Sequence, residues 1–212
     1  MSLAWSPPLE LRRVTQPARP PRHPERRQRP TPRLKPIEKE EASAEALAHY
    51  QTDEQRYGQV LNNTKLYAHN LPVLETMKAV AAGYAKTSEL PLSLKSLVRV
   101  RIAVVNGCPF CADLHSSIGM GAGLQSTKID GIAAWASDRD LSDRERLALE
   151  YADAVTLSDA EVSDELFGRL RKEFSEAQII ELTFAIAVEN LFSKFHNALG
   201  VESHGFCSVT PV

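Results

Sequence analysis

The stretch Asn106-Gly107-Cys108-Pro109-Phe110-Cys111-Ala112-Asp113-Leu114-His115 decides how the rest of the chain is read. Asn-Gly interrupts whatever precedes it. Pro109 suits the first position of a new helix, where its missing N–H leaves no bond unmade. With a helix opening at Cys108, the two cysteines and His115 fall at i, i+3 and i+7, on one face. Cys108 then stands near the N-cap and Cys111 in the first turn, where the positive end of the helix dipole favours a thiolate. His115, four residues beyond Cys111, comes within reach of its sulfur as proton acceptor or charge partner. Two thiols so spaced can close a disulfide after one is oxidised. That suits peroxide reduction: attack on the O–O bond, a sulfenic acid, then condensation with the second thiol. Cys108, Cys111 and His115 are also three candidate zinc ligands. The fourth would have to come from His196, His204 or Cys207, none of which forms a second Cys/His pair.

Upstream, Ser93 precedes an apolar segment, Leu94 to Val105. Within it Val98-Arg99-Val100-Arg101-Ile102 alternates as a strand would. A strand leading into Cys-x-x-Cys is the thioredoxin pattern, but that fold sets a cis-proline loop opposite the cysteines, and no proline occurs between Pro109 and Pro211. The segment is therefore read as helix. Farther out, Ala46, Leu47, Tyr50 and Tyr57 mark a first helix. A second spans Lys65–Lys86 by pattern, but Pro72 inside it moves the start there, with Asn70 as the cap. Downstream, Ser126 precedes Ile129–Trp135. Ser142 with Glu145 and Ser175 with Gln178 are capping boxes. Ser163 or Asp164 opens Leu166–Phe174. A long helix, about Glu176–Leu199, ends at Gly200. The reading is an all-α fold: one compact multi-helix domain of seven or eight helices over residues 42–207. Ile102-Ala-Val-Val-Asn106 recurs as Ile186-Ala-Val-Glu-Asn190, a possible internal helical duplication whose second copy has Phe192 and Phe195 in place of the thiols.

Composition is that of a globular protein: 43% hydrophobic and 25% charged over 212 residues. A net charge of -2 gives no case for nucleic acid or a membrane surface as partner. Residues 1–36 differ, with nine Arg/Lys against two Glu and nine of the 13 prolines. Such a stretch cannot bury enough apolar surface to offset its ordering entropy, so residues 1–41 are expected to be a disordered Pro/Arg-rich tail. No secretory or twin-arginine signal and no membrane-length apolar run is present, and a cytoplasmic location is expected. Three cysteines there point to redox or metal chemistry rather than a disulfide scaffold. Ala185, Ile186, Val188, Leu191 and Phe192 cannot easily all face one core, so a homo-oligomer is expected.

The run Leu94–Gly123, with its Asn-Gly-Cys-x-x-Cys-x-x-x-His centre, resembles the alkylhydroperoxidase D family of the carboxymuconolactone decarboxylase superfamily. The resemblance continues more weakly through Asp143–Ala148, Val162–Phe174 and Asn197–Gly200, and covers about Ala42–Cys207. It implies an all-helical fold, often internally duplicated, assembled as trimers or hexamers. It also implies a peroxidase that reduces organic hydroperoxides and is re-reduced by a dithiol such as a lipoyl protein. No bound cofactor or metal is expected. By the same resemblance Cys111 is the peroxidatic thiol, Cys108 the resolving thiol and His115 a proton relay. Members that decarboxylate lack the Cys-x-x-Cys pair, which disfavours that reaction. In one place the chain departs from the pattern: the family glutamate twelve residues before the first cysteine is Ser96 here. Another helix must supply the acid, Glu181 and Glu189 being nearest, or the relay is weakened. A weakened relay leaves a redox-sensing or thiol–disulfide exchange protein as the alternative, ahead of a structural zinc protein.

Overall fold

The computed structural model describes residues 32–208. Among these there are nine α-helices and no strand: α1 Ala44–Tyr57, α2 Asn62–Tyr67, α3 Leu71–Ala85, α4 Leu92–Val105, α5 Pro109–Gly121, α6 Ser126–Asp130, α7 Asp143–Thr156, α8 Asp164–Glu173 and α9 Glu176–Leu199. Short 3-10 turns cover Lys39–Glu41 and Gly131–Ser137. The local signals act as their chemistry requires. Asn70 caps α3 by accepting from the Val73 N–H. Ser142 and Ser175 form capping boxes with Glu145 and Gln178. Gly200 ends α9 with φ +68°, a left-handed conformation that favours glycine. Ile129–Trp135, expected to be one helix preceded by Ser126, is instead the end of α6, which Ser126 opens, followed by the 3-10 turn.

The centre of the molecule is α4, packed between α5, α7 and α9. Leu97, Val98, Val100, Ile102 and Ala103 are completely buried, and Leu94, Lys95, Ser96 and Arg99 are nearly so. A helix buried on nearly every side must also bury its polar residues, and these are neutralised individually. Lys95 Nζ lies 2.6 Å from Glu181 Oε1, Arg99 Nε lies 2.8 Å from Glu189 Oε2, and Arg101 forks onto Asp153 of α7. Both acids facing Lys95 and Arg99 come from α9. Asn106 and Asn190, equivalent in the repeat, meet directly: Asn106 Nδ2 donates to Asn190 Oδ1 at 3.1 Å.

Two expectations need correction. Helix α9 serves two cores rather than one. Ile179, Leu182 and Ile186 pack with α4 and α7, while Val188 and Phe192 join Tyr50, Tyr67 and Leu74 of α1 to α3. Ala185, Ile186, Val188 and Phe192 are thus all buried within one chain, and of the five residues singled out only Leu191 is exposed. The second correction concerns the tail boundary at 41. The Arg33 N–H donates to the Leu199 carbonyl, the Ile37 N–H donates to the Lys65 carbonyl, and the Tyr50 hydroxyl donates to the Ile37 carbonyl at 2.6 Å. A fully buried phenol needs an acceptor, and this segment supplies it. Residues 1–31 of the expected tail lie outside the described residues.

Candidate active site

The site begins where α4 ends. Gly107 has φ +67°, and its N–H and that of Cys108 bond back to the carbonyls of Val104 and Ala103. This is a Schellman arrangement, and it explains the Asn-Gly break. Cys108, the residue after the turn, is at once the N-cap of α5: its Sγ accepts the Cys111 N–H at 3.2 Å. One tight turn therefore closes the central helix and places both sulfurs at the positive end of the next. Both thiols are free and buried.

The imidazole beside the Cys111 sulfur is that of His196, with Nδ1 at 3.2 Å. His115, expected there from its spacing, turns to α9 instead, and its Nε2 lies 3.0 Å from Glu189 Oε2. The same carboxylate oxygen holds Arg99 Nε. Glu189 Oε1 is buried without a hydrogen-bond partner. On the far side of His196, Nε2 meets the Tyr67 hydroxyl, with Asn63 Nδ2 at 3.5 Å. Two relays thus converge behind the cysteines, Cys111–His196–Tyr67 and His115–Glu189–Arg99.

Burial dominates the electrostatics. It pushes the Cys111 thiol well above its ordinary value; the Cys108 hydrogen bond and the Glu189 charge act the same way, and Arg99 opposes them. Burial also pushes His196 down, to about 3, and lowers His115. Burial alone would raise Glu189, but the neighbouring His115 and Arg99 outweigh it and hold it below the usual carboxylate range. His115 is itself lowered, so the partner that keeps this carboxylate charged near neutrality is Arg99, which does not titrate. The resting site is a neutral thiol against a neutral imidazole, beside a buried Arg–Glu pair.

Residues 72–154 match the carboxymuconolactone decarboxylase family. The uncharacterized Escherichia coli protein YnjA is 32% identical over 155 residues, covering 72% of this chain and 85% of YnjA. The chain belongs to the carboxymuconolactone decarboxylase family. Its fold is the alkylhydroperoxidase D-like one. An uncharacterized peroxidase-related protein from Ralstonia eutropha with an alkylhydroperoxidase AhpD core superposes with a TM-score of 0.76 at 19% identity, covering 86% of this chain and 99% of its own. The debrominase Bmp8 superposes with a TM-score of 0.69 at 20% identity, covering 81% of this chain and 91% of its own.

In this family member a cavity of about 820 Å³ reaches the cysteine site between α1, α3, α4 and α5. Cys111, His115 and His196 line it; Cys108 does not. Its walls are largely aromatic and aliphatic, with Tyr57, Tyr67, Tyr84, Phe110, Met77 and Phe192 among them, and Arg99 and Ser96 line it too. Of the acids considered for the place of the family glutamate, Glu189 reaches the relay and Glu181 is committed to Lys95 and the backbone N–H groups of Glu89 and Leu90. His196 entered the sequence reading only as a possible zinc ligand, and Tyr67 and Asn63 not at all. A signal did exist. Glu181, Glu189, Ser193 and His196 all sit on buried faces of an otherwise apolar helix, and polar groups in such positions need partners. Cys207 is buried with its Sγ 3.5 Å from Met120 Sδ, and its N–H donates to Asp113.

Proposed function

We propose that the chain is a thiol-dependent peroxidase that reduces organic hydroperoxides by cycling Cys108 and Cys111 between dithiol and disulfide. The observation that carries this reading is asymmetry at the pair: Cys111 lines the cavity with His196 Nδ1 3.2 Å from its sulfur, while Cys108 stands behind it as the helix cap. In the tautomer with the proton on Nε2, that N–H donates to Tyr67 Oη and the Nδ1 lone pair faces the thiol. Because neither group ionises readily at rest, the proton moves to Nδ1 as the sulfur attacks the terminal peroxide oxygen. His196 then returns the proton to the leaving alkoxide. The products are the Cys111 sulfenic acid and an alcohol. The Cys108 thiol displaces water from the sulfenic acid to form the disulfide. An external dithiol, of the lipoyl-protein kind, restores both thiols by exchange. Arg99, fixed by Glu189, offers positive charge to the developing anion.

The raised Cys111 thiol also supports a second reading, a redox sensor or exchange protein in which the disulfide forms but turns over slowly. Ile180, Phe184 and Leu191 on the outer face of α9 are exposed, which fits assembly with further copies as a trimer or hexamer. Among the described residues no helix is long and apolar enough to cross a membrane.

Steady-state consumption of cumene hydroperoxide with dihydrolipoamide as donor tests the reading. Sustained turnover is expected, abolished in Cys111→Ser and lowered about 10²–10⁴-fold in His196→Asn. One equivalent consumed and no more would favour the sensor. Undiminished turnover in Cys111→Ser would refute the thiol mechanism.

A further inference from the structure

The sequence offered Cys108, Cys111 and His115 as a metal-ligand trio lacking a fourth member. The fold assembles a different trio. Cys108 Sγ, Cys111 Sγ and a ring nitrogen of His196 all lie within 4.8 Å of one another, and all three residues are buried. Three features make this more than proximity.

The first is distance. In a tetrahedral zinc site with Zn–S of about 2.3 Å and Zn–N of about 2.0–2.1 Å, a sulfur and a nitrogen ligand stand about 3.5 Å apart. Cys111 Sγ and His196 Nδ1 are already 3.2 Å apart, joined by the hydrogen bond that a cation would replace. Small side-chain rotations on a fixed helix turn suffice to admit the ion.

The second is support beyond the ligands. A metal-bound imidazole is ordinarily oriented by a partner on its other nitrogen. His196 Nε2 has the Tyr67 hydroxyl, with Asn63 beside it. Cys108 Sγ already accepts the Cys111 N–H, so one sulfur is hydrogen-bonded before any ion arrives. His115 stands outside this cluster, turned toward Glu189.

The third is charge and access. A divalent cation on two thiolates and a neutral imidazole adds no net charge to the interior, so the desolvation that penalises an isolated buried ion is largely avoided. Cys111 and His196 both line the cavity, so the fourth coordination position opens onto it, free for water or an exogenous thiolate.

We propose that the reduced protein binds one thiophilic d¹⁰ cation of the zinc type through Cys108 Sγ, Cys111 Sγ and His196 Nδ1, with an open fourth position facing the cavity. The site needs only the reduced thiols and does not rest on peroxidase turnover. Binding displaces the two thiol protons. Because the ligands are the sulfurs that pair on oxidation, ion and disulfide exclude each other. A hydroperoxide acting on the loaded site takes up two protons and yields the disulfide, an alcohol, water and the freed cation. Zinc therefore shields the pair, and oxidation ejects it.

The test is zinc titration of the reduced full-length protein against a chromophoric chelator, with X-ray absorption at the zinc edge on the loaded protein. One equivalent is expected, in a shell of two sulfurs at about 2.3 Å and one imidazole nitrogen at about 2.0–2.1 Å. His196→Ala should weaken binding at least tenfold, and Tyr67→Phe by about tenfold or more through lost orientation of the ring. Cys207→Ser should leave affinity unchanged, and the oxidised protein should bind none. Absence of stoichiometric binding, a sulfur shell without imidazole, or undiminished binding by His196→Ala would overturn the proposal. The spectrum is read on the unmodified protein, so a variant that fails to fold does not decide it. Peroxide consumption, measured on metal-free protein, succeeds or fails separately.

Discussion

Glu189 is completely buried, so its charge survives only through its neighbours. One oxygen accepts both Arg99 Nε and His115 Nε2. Glu189→Gln would leave the Arg99 guanidinium buried without a counter-charge, and the fold should lose about 3–5 kcal/mol in denaturant unfolding. A loss under about 1 kcal/mol would mean that Arg99 is otherwise satisfied. The same contact answers the question raised by Ser96. In the proposed mechanism the glutamate missing from α4 is replaced across the helix interface by Glu189 of α9, so Ser96→Glu is expected not to improve activity. Ser96 is 2% exposed, and its Cβ lies 2.9 Å from where a Cβ on Gly119 would stand. A glutamate there would desolvate a further carboxylate on the cavity wall, where Lys95 and Arg99 of the same helix are already paired. At this scale the sequence was half legible. The Cys-x-x-Cys pair and His115 are close in sequence, so one helix reveals their geometry. His196 lies 85 residues from Cys111, and only tertiary packing brings it to the sulfur.

Between residues and fold stand the helix junctions. The Gly107 turn ends α4, and its next residue caps α5, so the two helices leave the turn packed closely against each other. Gly119 allows that packing, since an added Cβ would lie 2.9 Å from both Ser96 Cβ and Leu124 Cδ2. Leu124 can rotate away, but the Ser96 Cβ is fixed to the backbone of α4. Gly119→Ala should therefore cost about 1–3 kcal/mol, visible as a lower denaturation midpoint. An unchanged midpoint would show that α5 shifts freely. The C-terminal segment is tied to the same helix: Asp113 accepts the N–H groups of His204, Gly205, Phe206 and Cys207 together with the Ser203 hydroxyl. Elements with their own caps, α1, α3, α5, α7, α8 and α9, could be read from sequence because Asn, Ser and Cys caps are local chemistry. Helix α2 could not. No side chain caps it, and it is held from afar by the Asn62 N–H to His204 Nε2 and by Asp53 beneath the Leu61 N–H and the Thr64 hydroxyl.

Across the whole molecule, α9 joins two cores and carries His196 against Tyr67 and Phe192 on one side and Phe110 and Cys111 on the other. Burial pushes that imidazole down to about 3, against an ordinary 6.5. Between those values the unfolded chain binds a proton that the folded one refuses. Stability is therefore fully present above about pH 6.5 and falls as the pH drops toward 3, by about 1.4 kcal/mol per pH unit for one such group. His115, also lowered, adds to the same limb. Tm should fall between pH 6.5 and 4, and less steeply in His196→Gln; equal slopes would mean that His196 is protonated in the folded protein. The overall class was legible because helical periodicity and caps repeat along the chain. The reach of α9 into a second core was not, since periodicity shows which face is apolar but not how many partners share it. In the proposed reaction Cys111, served by His196, is the thiol that meets the peroxide. The most direct measurement is sulfenic acid trapping. Cys108→Ser and Cys111→Ser are each treated with one equivalent of cumene hydroperoxide and dimedone, and the adduct is located by peptide mass spectrometry. An adduct is expected on Cys111 in Cys108→Ser and none on Cys108 in Cys111→Ser. An adduct on Cys108 in Cys111→Ser, or no sulfenic acid on Cys111, would contradict that reaction.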